Sequence, residues 1–197
     1  MSISRLAAAA ALLSLSVPAS AQQVQGAAGE IARRLLDAHN RERTLVGAQP
    51  LQWDSELAAH AASYGPTLAS LRQLVHSPRE SRPGERENLA MAAHATLSPE
   101  QLVDLWSREK NELQPGALGL GCPVRFGCMT FPAASRTGRW EDIAHYTQMV
   151  WPTTTRVGCA IFAADWDYLI CRYSPPGNID GKPVFAAAAA PVALAGR

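Results

Sequence analysis

An export-type N-terminus followed by four cysteines constrains this chain more than any other feature. Arg5 gives a thin positive flank, Leu6 to Val17 form an apolar run rich in small residues, and Ala19-Ser20-Ala21 supplies the A-x-A pattern of a signal-peptidase site. The sequence therefore predicts a signal peptide over residues 1–21, cleavage before Gln22 and a short linker over 22–29. The apolar run is too short to cross a hydrocarbon core about 30 Å thick, and no comparable stretch occurs later in the chain. The expectation is a secreted protein, extracellular or periplasmic, with no transmembrane segment in the mature chain. Export gives a meaning to Cys122, Cys128, Cys159 and Cys171. An even number of cysteines in an oxidising compartment favours disulfides, although spacing alone leaves their pairing open. A zinc cluster built on them is the lesser reading, because no C-x-x-C pair is present.

Residues 30–185 are long enough for one sizeable core, and the alanine-rich stretch over 186–197 reads as a frayed tail. A composition of 47% hydrophobic and 18% charged residues belongs to an ordinary folded domain, not to a disordered chain or a bundle of membrane spans. The formal net charge of +1 argues against steering toward nucleic acid or anionic membranes.

Within that span, residues 30–46 have helical spacing, with Ile31, Leu35, Ala38 and Leu45 near one face. His39 and Asn40 fall inside this helix, where a lone histidine is more often packed and hydrogen-bonded than a ligand. Gly47 reads as its stop. A second helix is expected to start near Asp54, whose side chain can accept the free N–H groups of the first turn. Gly65-Pro66 should kink or end it, with helical spacing resuming at Leu68, Leu71 and Val75 and delivering the chain to His76. Residues 77–86 read as a loop. Ser98-Pro99-Glu100-Gln101 then carries a capping box, with proline at the first helical position. Leu102, Leu105, Trp106 and Leu113 define the apolar face of that third helix, and Glu109 lies on the same face. A carboxylate aimed at a core must be paired, hydrogen-bonded, metal-bound or protonated, since burying it alone costs several kcal/mol. The alternative is a place at the rim, in reach of water.

From Gln114 to Ile143 the chain is punctuated by Gly and Pro and contains Cys122 and Cys128, so a local disulfide would tether a long loop. Val157–Ala163 and Tyr168–Tyr173 read as an antiparallel hairpin around Ala164 to Asp167, with Cys159 and Cys171 on its two arms.

The segments His145-Tyr146-Thr147-Gln148-Met149-Val150-Trp151, Val157-Gly158-Cys159-Ala160 and Tyr168 through Asn178 resemble the two signatures of the CAP superfamily: cysteine-rich secretory proteins, antigen 5 and pathogenesis-related proteins. Glu87-Asn88-Leu89-Ala90 is similar to that family's "GENLA" segment and Trp106-Ser107-Arg108-Glu109 to its "W-x-x-E". His39-Asn40 and Leu51-Gln52-Trp53-Asp54 match its opening helices. Two positions depart from the pattern: Ala144 and Arg86 stand where glycine is usual. The resemblance implies an α+β fold, an α–β–α sandwich with a small antiparallel sheet flanked by helices, and a cleft lined by His76, Glu87, Glu109 and His145. It also supports the pairings Cys122–Cys128 and Cys159–Cys171.

Two imidazoles and two carboxylates suit a divalent cation such as Zn²⁺ or Mg²⁺, with His76 and His145 as ligands and the glutamates orienting the rings. The alternative is that the carboxylates simply neutralise and orient the histidines. Three functions compete on the sequence. A non-catalytic binding module for a small apolar ligand such as a lipid or sterol ranks first, and an extracellular protein-interaction domain with a purely structural tetrad ranks second. A hydrolase or protease ranks last, because Ser77 merely adjoins His76 and neither G-x-S-x-G nor H-E-x-x-H occurs. No catalytic residue is assigned. The five tryptophans are expected mostly to pack between helices and sheet, with Trp166, at the hairpin tip, the best candidate for an exposed contact.

Overall fold

The computed structural model describes residues 19–114 and 129–185, with side chains from residue 26 onward. Helix α1 runs Ala19–Leu45, so the whole stretch expected to be a linker is helical. Alanine and glutamine favour the helix there, and Gly26 and Gly29 weaken it by about 1 kcal/mol each without ending it. The apolar spacing locates only half of its inner face. Leu35 and Ala38 are 1% exposed, whereas Ile31 and Leu45 are 38% and 63% exposed. The buried row is completed by His39, Glu42 and Arg43, three polar side chains that a hydrophobic pattern skips. Gly47, at φ +68°, turns the chain out of the helix.

Asn40 anchors the segment beyond this turn. Its Nδ2 donates to Leu51 O (3.1 Å) and its Oδ1 accepts from Leu51 N (2.7 Å), which sets the chain before strand β1, Gln52–Trp53. Asp54 caps helix α2, Ser55–Leu71, by accepting from Glu56 N and Leu57 N. The expected break at Gly65-Pro66 does not occur. Pro66 removes the bond to the Ala62 carbonyl, but Ala62 and Pro66 both face solvent, so water can take its place. Gly65 is buried against Phe162, where an added Cβ would come within 2.6 Å of that side chain. Packing on the sheet holds the helix through the proline. Helix α2 stops at Leu71, with Arg72 left-handed at φ 53°. Leu71 and Val75, expected on its apolar face, are instead 48% and 44% exposed.

Strand β2, Arg86–Ala93, arises where the sequence pattern suggests, in part, a loop. Its residues include no Val, Ile, Thr or aromatic side chain, so intrinsic preference gives little strand signal. Pairing imposes it: β2 runs antiparallel to β4, Trp166–Ser174, from Arg86 opposite Tyr173 to Ala93 opposite Trp166. Strand β3, Arg156–Ala163, pairs with the other edge of β4, and the hairpin turn shrinks to Ala164-Asp165. Cys159 sits directly opposite Cys171 in this register, and the two form a disulfide with a Cα–Cα distance of 4.1 Å. Cys122 and Cys128 lie outside the described residues, as do residues 1–18 and the tail. The sheet order is β1-β3-β4-β2, antiparallel except for the two-residue parallel contact of β1 with β3.

Helix α3, Pro99–Ser107, carries the expected capping box on Ser98 and Gln101. It ends earlier than its apolar spacing suggests, so Glu109 lies in a 3-10 turn over Arg108–Glu112. Helix α4 spans Ala144–Val150. One face of the sheet packs Leu89, Tyr168 and Ile170 on Ala61 and Leu68 of α2. The other packs Ala90, Val157, Leu169 and Tyr173 on α1, α3 and α4. These three layers are the α–β–α sandwich. Contact with α2 is closest at Gly158, where a Cβ would collide with the backbone of Asp54, Leu57 and Ala58. Trp106 and Trp151 are buried, Trp166 is 39% exposed and Trp140 more so at 50%.

Candidate functional site

Side chains alternate across a strand, and β2 uses both directions at its first residues. Glu87 lies opposite Arg172 in the sheet register, and its fully buried carboxylate is crowded with donors. Oε1 accepts from His76 Nδ1 (2.7 Å) and Ser77 N (3.0 Å), and Oε2 accepts from Ser77 Oγ (3.0 Å) and pairs with Arg172 Nη2 (2.9 Å). Burial pushes the Glu87 carboxyl up, but the His76 hydrogen bond, the Arg172 charge and the Ser77 N–H outweigh it and hold it below the ordinary carboxylate value.

Asn88 points the other way. Its Nδ2 donates to His145 O (3.0 Å) and to Tyr173 Oη (3.2 Å). His145 Nδ1 in turn meets Glu109 Oε1 at 2.6 Å, and its ring stacks on Trp106 at 6.0 Å between centroids. Glu109 Oε2 also accepts from His145 N (2.9 Å) and Tyr146 N (3.0 Å). Helix α4 has no capping side chain at Ile143, so Glu109, from outside the helix, satisfies two of its free first-turn donors. This is why a carboxylate sits on the inner side of α3 and its extension.

The structure thus arranges His76, Glu87, Glu109 and His145 as two pairs joined through consecutive residues of edge strand β2. In each, the carboxylate holds Nδ1, and Nε2 makes no hydrogen bond among the described residues. The His76 side chain is 53% exposed and that of His145 29%. Among the described residues, the only three metal-ligating groups with donor atoms all within 4.8 Å of one another are His39, Cys159 and Cys171. Those two sulfurs form the disulfide and offer no thiolate, and the fully buried His39 ring bonds Leu35 O and Tyr173 Oη. The four tetrad side chains form no such cluster among the described residues, so they do not make a closed cage of four ligands.

Sequence reasoning misses Arg172 and Asn88 as site residues. A signal for Arg172 is present: a charged residue inside the buried run Leu169 to Tyr173 needs a buried counter-charge. The same arginine places Nη1 3.4 Å from Glu85 Oε2, and Glu85 Oε1 meets His60 Nδ1 at 2.7 Å. At the far end of β2, His94 Nδ1 meets Asp167 at 2.7 Å.

A small α–β–α domain with a cross-strand disulfide and two His–Glu pairs at the sheet edge is the class defined by this fold and site. The pattern of the cysteine-rich secretory protein family, CAP, matches residues 36–173. Pathogenesis-related protein 1C of Nicotiana tabacum is 35% identical over 149 residues, covering 75% of this chain and 76% of that protein. Pathogenesis-related protein 1 of Arabidopsis thaliana is 33% identical over 172 residues, 86% of this chain and 88% of that one. Among solved structures, Na-ASP-1 superposes with a TM-score of 0.61 at 25% identity, over 80% of this chain and 42% of that chain. NaASP2, determined with Zn²⁺, superposes with a TM-score of 0.60 at 24% identity, over 81% and 87%. The chain belongs to the cysteine-rich secretory protein family. Among the described residues, no helix is long and apolar enough to cross a membrane.

Proposed function

We propose that this is an exported, non-catalytic binding module in which His76 and His145 present Nε2 to a divalent cation. The observation that carries the reading is that both rings commit Nδ1 to carboxylates, which favours the tautomer whose Nε2 keeps its lone pair, and that, unlike His60 and His94, the two are tied to the consecutive residues Glu87 and Asn88. Imidazole ligands suit Zn²⁺ better than Mg²⁺, which prefers oxygen. Bound metal would supply positive charge and open coordination positions at the sheet edge. Leu71, Leu74 and Val75, 42–48% exposed in the approach to His76, are where a small apolar ligand would find contact. Ser77 argues against hydrolysis through a Ser77–His76 pair: its hydroxyl donates to Glu87 and takes a bond from Arg172 Nη2 at 3.1 Å, leaving it engaged away from the imidazole.

A second reading, an extracellular interaction domain with a structural tetrad, is favoured by the bonds that Glu109 accepts from α4. Both glutamates help to hold the fold, so the test must be read at the histidines. Calorimetric titration of chelator-free mature protein with Zn²⁺ is expected to show His76→Ala and His145→Ala each weakening binding about 100-fold. His60→Ala and His94→Ala should leave it unchanged. Equal binding by wild type and the His76→Ala/His145→Ala double variant would leave the structural clasp.

A further inference from the structure

Beside the His–Glu pairs lies a concavity of about 220 Å³ whose lining includes Arg79, Arg82, Arg86, Glu85, Pro176 and Ile179 and none of the four tetrad residues. Three arginines line this one surface, although the chain carries a net charge of only +1. Two of them are held in place by neutral carbonyls. Arg82, 8% exposed, donates Nε to Ser77 O at 3.1 Å and Nη1 to Glu85 O at 3.5 Å. Arg86 donates Nε to Gly177 O at 2.9 Å and Nη2 to Asn178 O at 3.4 Å. That leaves Arg82 Nη2 and Arg86 Nη1 without a hydrogen-bond partner among the described residues. Arg79 is exposed and makes no side-chain hydrogen bond there. None of the three forms an ion pair with a described carboxylate. Glu85 is already engaged by His60 and Arg172, and Asp180, whose charge acts on Arg86, makes no ion pair with it.

Burial holds Arg82 and Arg86 below the ordinary guanidinium value; the charge of Arg79 acts in the same direction on both, against Glu87 and Glu85 on Arg82 and Asp180 on Arg86. Three like charges on one surface, with no carboxylate in direct contact, repel one another, and an anion would relieve that repulsion. Guanidinium forks match the paired oxygens of phosphate and sulfate groups.

We propose that Arg79, Arg82 and Arg86 form a binding site for a tetrahedral oxyanion, the phosphate or sulfate group of a small extracellular molecule. Pro176 and Ile179 supply apolar contact for the body that carries the group. The site needs no metal and is independent of the cation reading.

The test is titration of the ¹⁵N-labelled mature protein with inorganic phosphate, sulfate and acetate at constant ionic strength. Saturable shifts are expected for phosphate and sulfate, concentrated at residues 79–86 and 177–179, with acetate binding at least ten-fold more weakly. Arg79→Gln removes a charge with no structural partner; it should weaken phosphate about three-fold at unchanged melting temperature. Arg79→Gln/Arg86→Gln should weaken it at least ten-fold. The proposal is overturned by non-saturating shifts, by equal response at Arg33, Arg41 and Arg72, by acetate binding as tightly, or by unchanged phosphate affinity in Arg79→Gln.

Discussion

Arg43→Met is expected to destabilise the fold by about 3–5 kcal/mol, measured as the loss in unfolding free energy in urea. Arg43 is 1% exposed and makes no ion pair with a described carboxylate. Its guanidinium instead donates to four carbonyls: Gln49 (2.6 Å), Met149 (2.9 Å), Trp151 (3.0 Å) and Thr154 (3.0 Å). Burial lowers its pKa to about 10, so it remains charged at neutral pH. Two of the carbonyls lie at the C-terminal end of α4, where partial negative charge favours a cation. This one side chain thus ties the end of α1 to the segment that carries His145 into β3. Methionine fills similar volume but leaves four acceptors behind, and buried polar groups without partners account for the size of the effect. Arg43→Lys should recover only part of the loss, because one ammonium cannot reach all four acceptors in the same plane. A loss below about 1 kcal/mol in Arg43→Met would show that water replaces the guanidinium without cost.

The second large effect is a fall in stability of about 3 kcal/mol as pH drops from about 6.5 to about 4, attributable to His39. The ring is fully buried. Nδ1 donates to Leu35 O at 2.8 Å, since a carbonyl can only accept, and Nε2 at 2.8 Å accepts from Tyr173 Oη. Tyr173 Oη is in turn the acceptor for Asn88 Nδ2. The neutral tautomer satisfies every partner. Desolvation lowers the folded-state pKa to about 4, with the charges of Arg43 and Arg41 adding to it. The unfolded chain therefore binds this proton first. The contribution is fully present above the unfolded value of 6.5, and it is lost as pH falls through the window down to the folded value. Thermal unfolding followed across that window should show the decline, and His39→Gln should flatten it while lowering the stability at neutral pH. A wild-type profile as flat as that of His39→Gln would refute the assignment. Glu87, depressed by its partners, adds loss only below the ordinary carboxylate range.

Both effects involve residues that the sequence places inside a helix without revealing their work. A period of 3.6 locates α1 through Leu35 and Ala38, and the capping residues Asp54 and Ser98 mark the starts of α2 and α3, because these signals are local. The hairpin and its disulfide are legible for the same reason: strand formers and a short turn bring Cys159 opposite Cys171. Long-range terms are not legible. Packing against Phe162 carries α2 through Pro66, and pairing with β4 makes a strand of Arg86–Ala93. At the site, motif resemblance selects His76, Glu87, Glu109 and His145. It does not show that Glu109 doubles as a cap for α4, or that Glu87 shares Arg172 with Glu85. Those roles depend on contacts between segments far apart in sequence.

The most direct test is the ring state of His76 and His145, read from ¹H–¹⁵N imidazole spectra of the mature protein at about pH 8 before and after Zn²⁺. The expected result is Nδ1–H and a bare Nε2 on both rings, with Zn²⁺ shifting those two Nε2 resonances and leaving His60 and His94 in place. An Nε2–H tautomer on either ring, or equal shifts at His60 and His94, would contradict the assignment of these histidines as cation ligands.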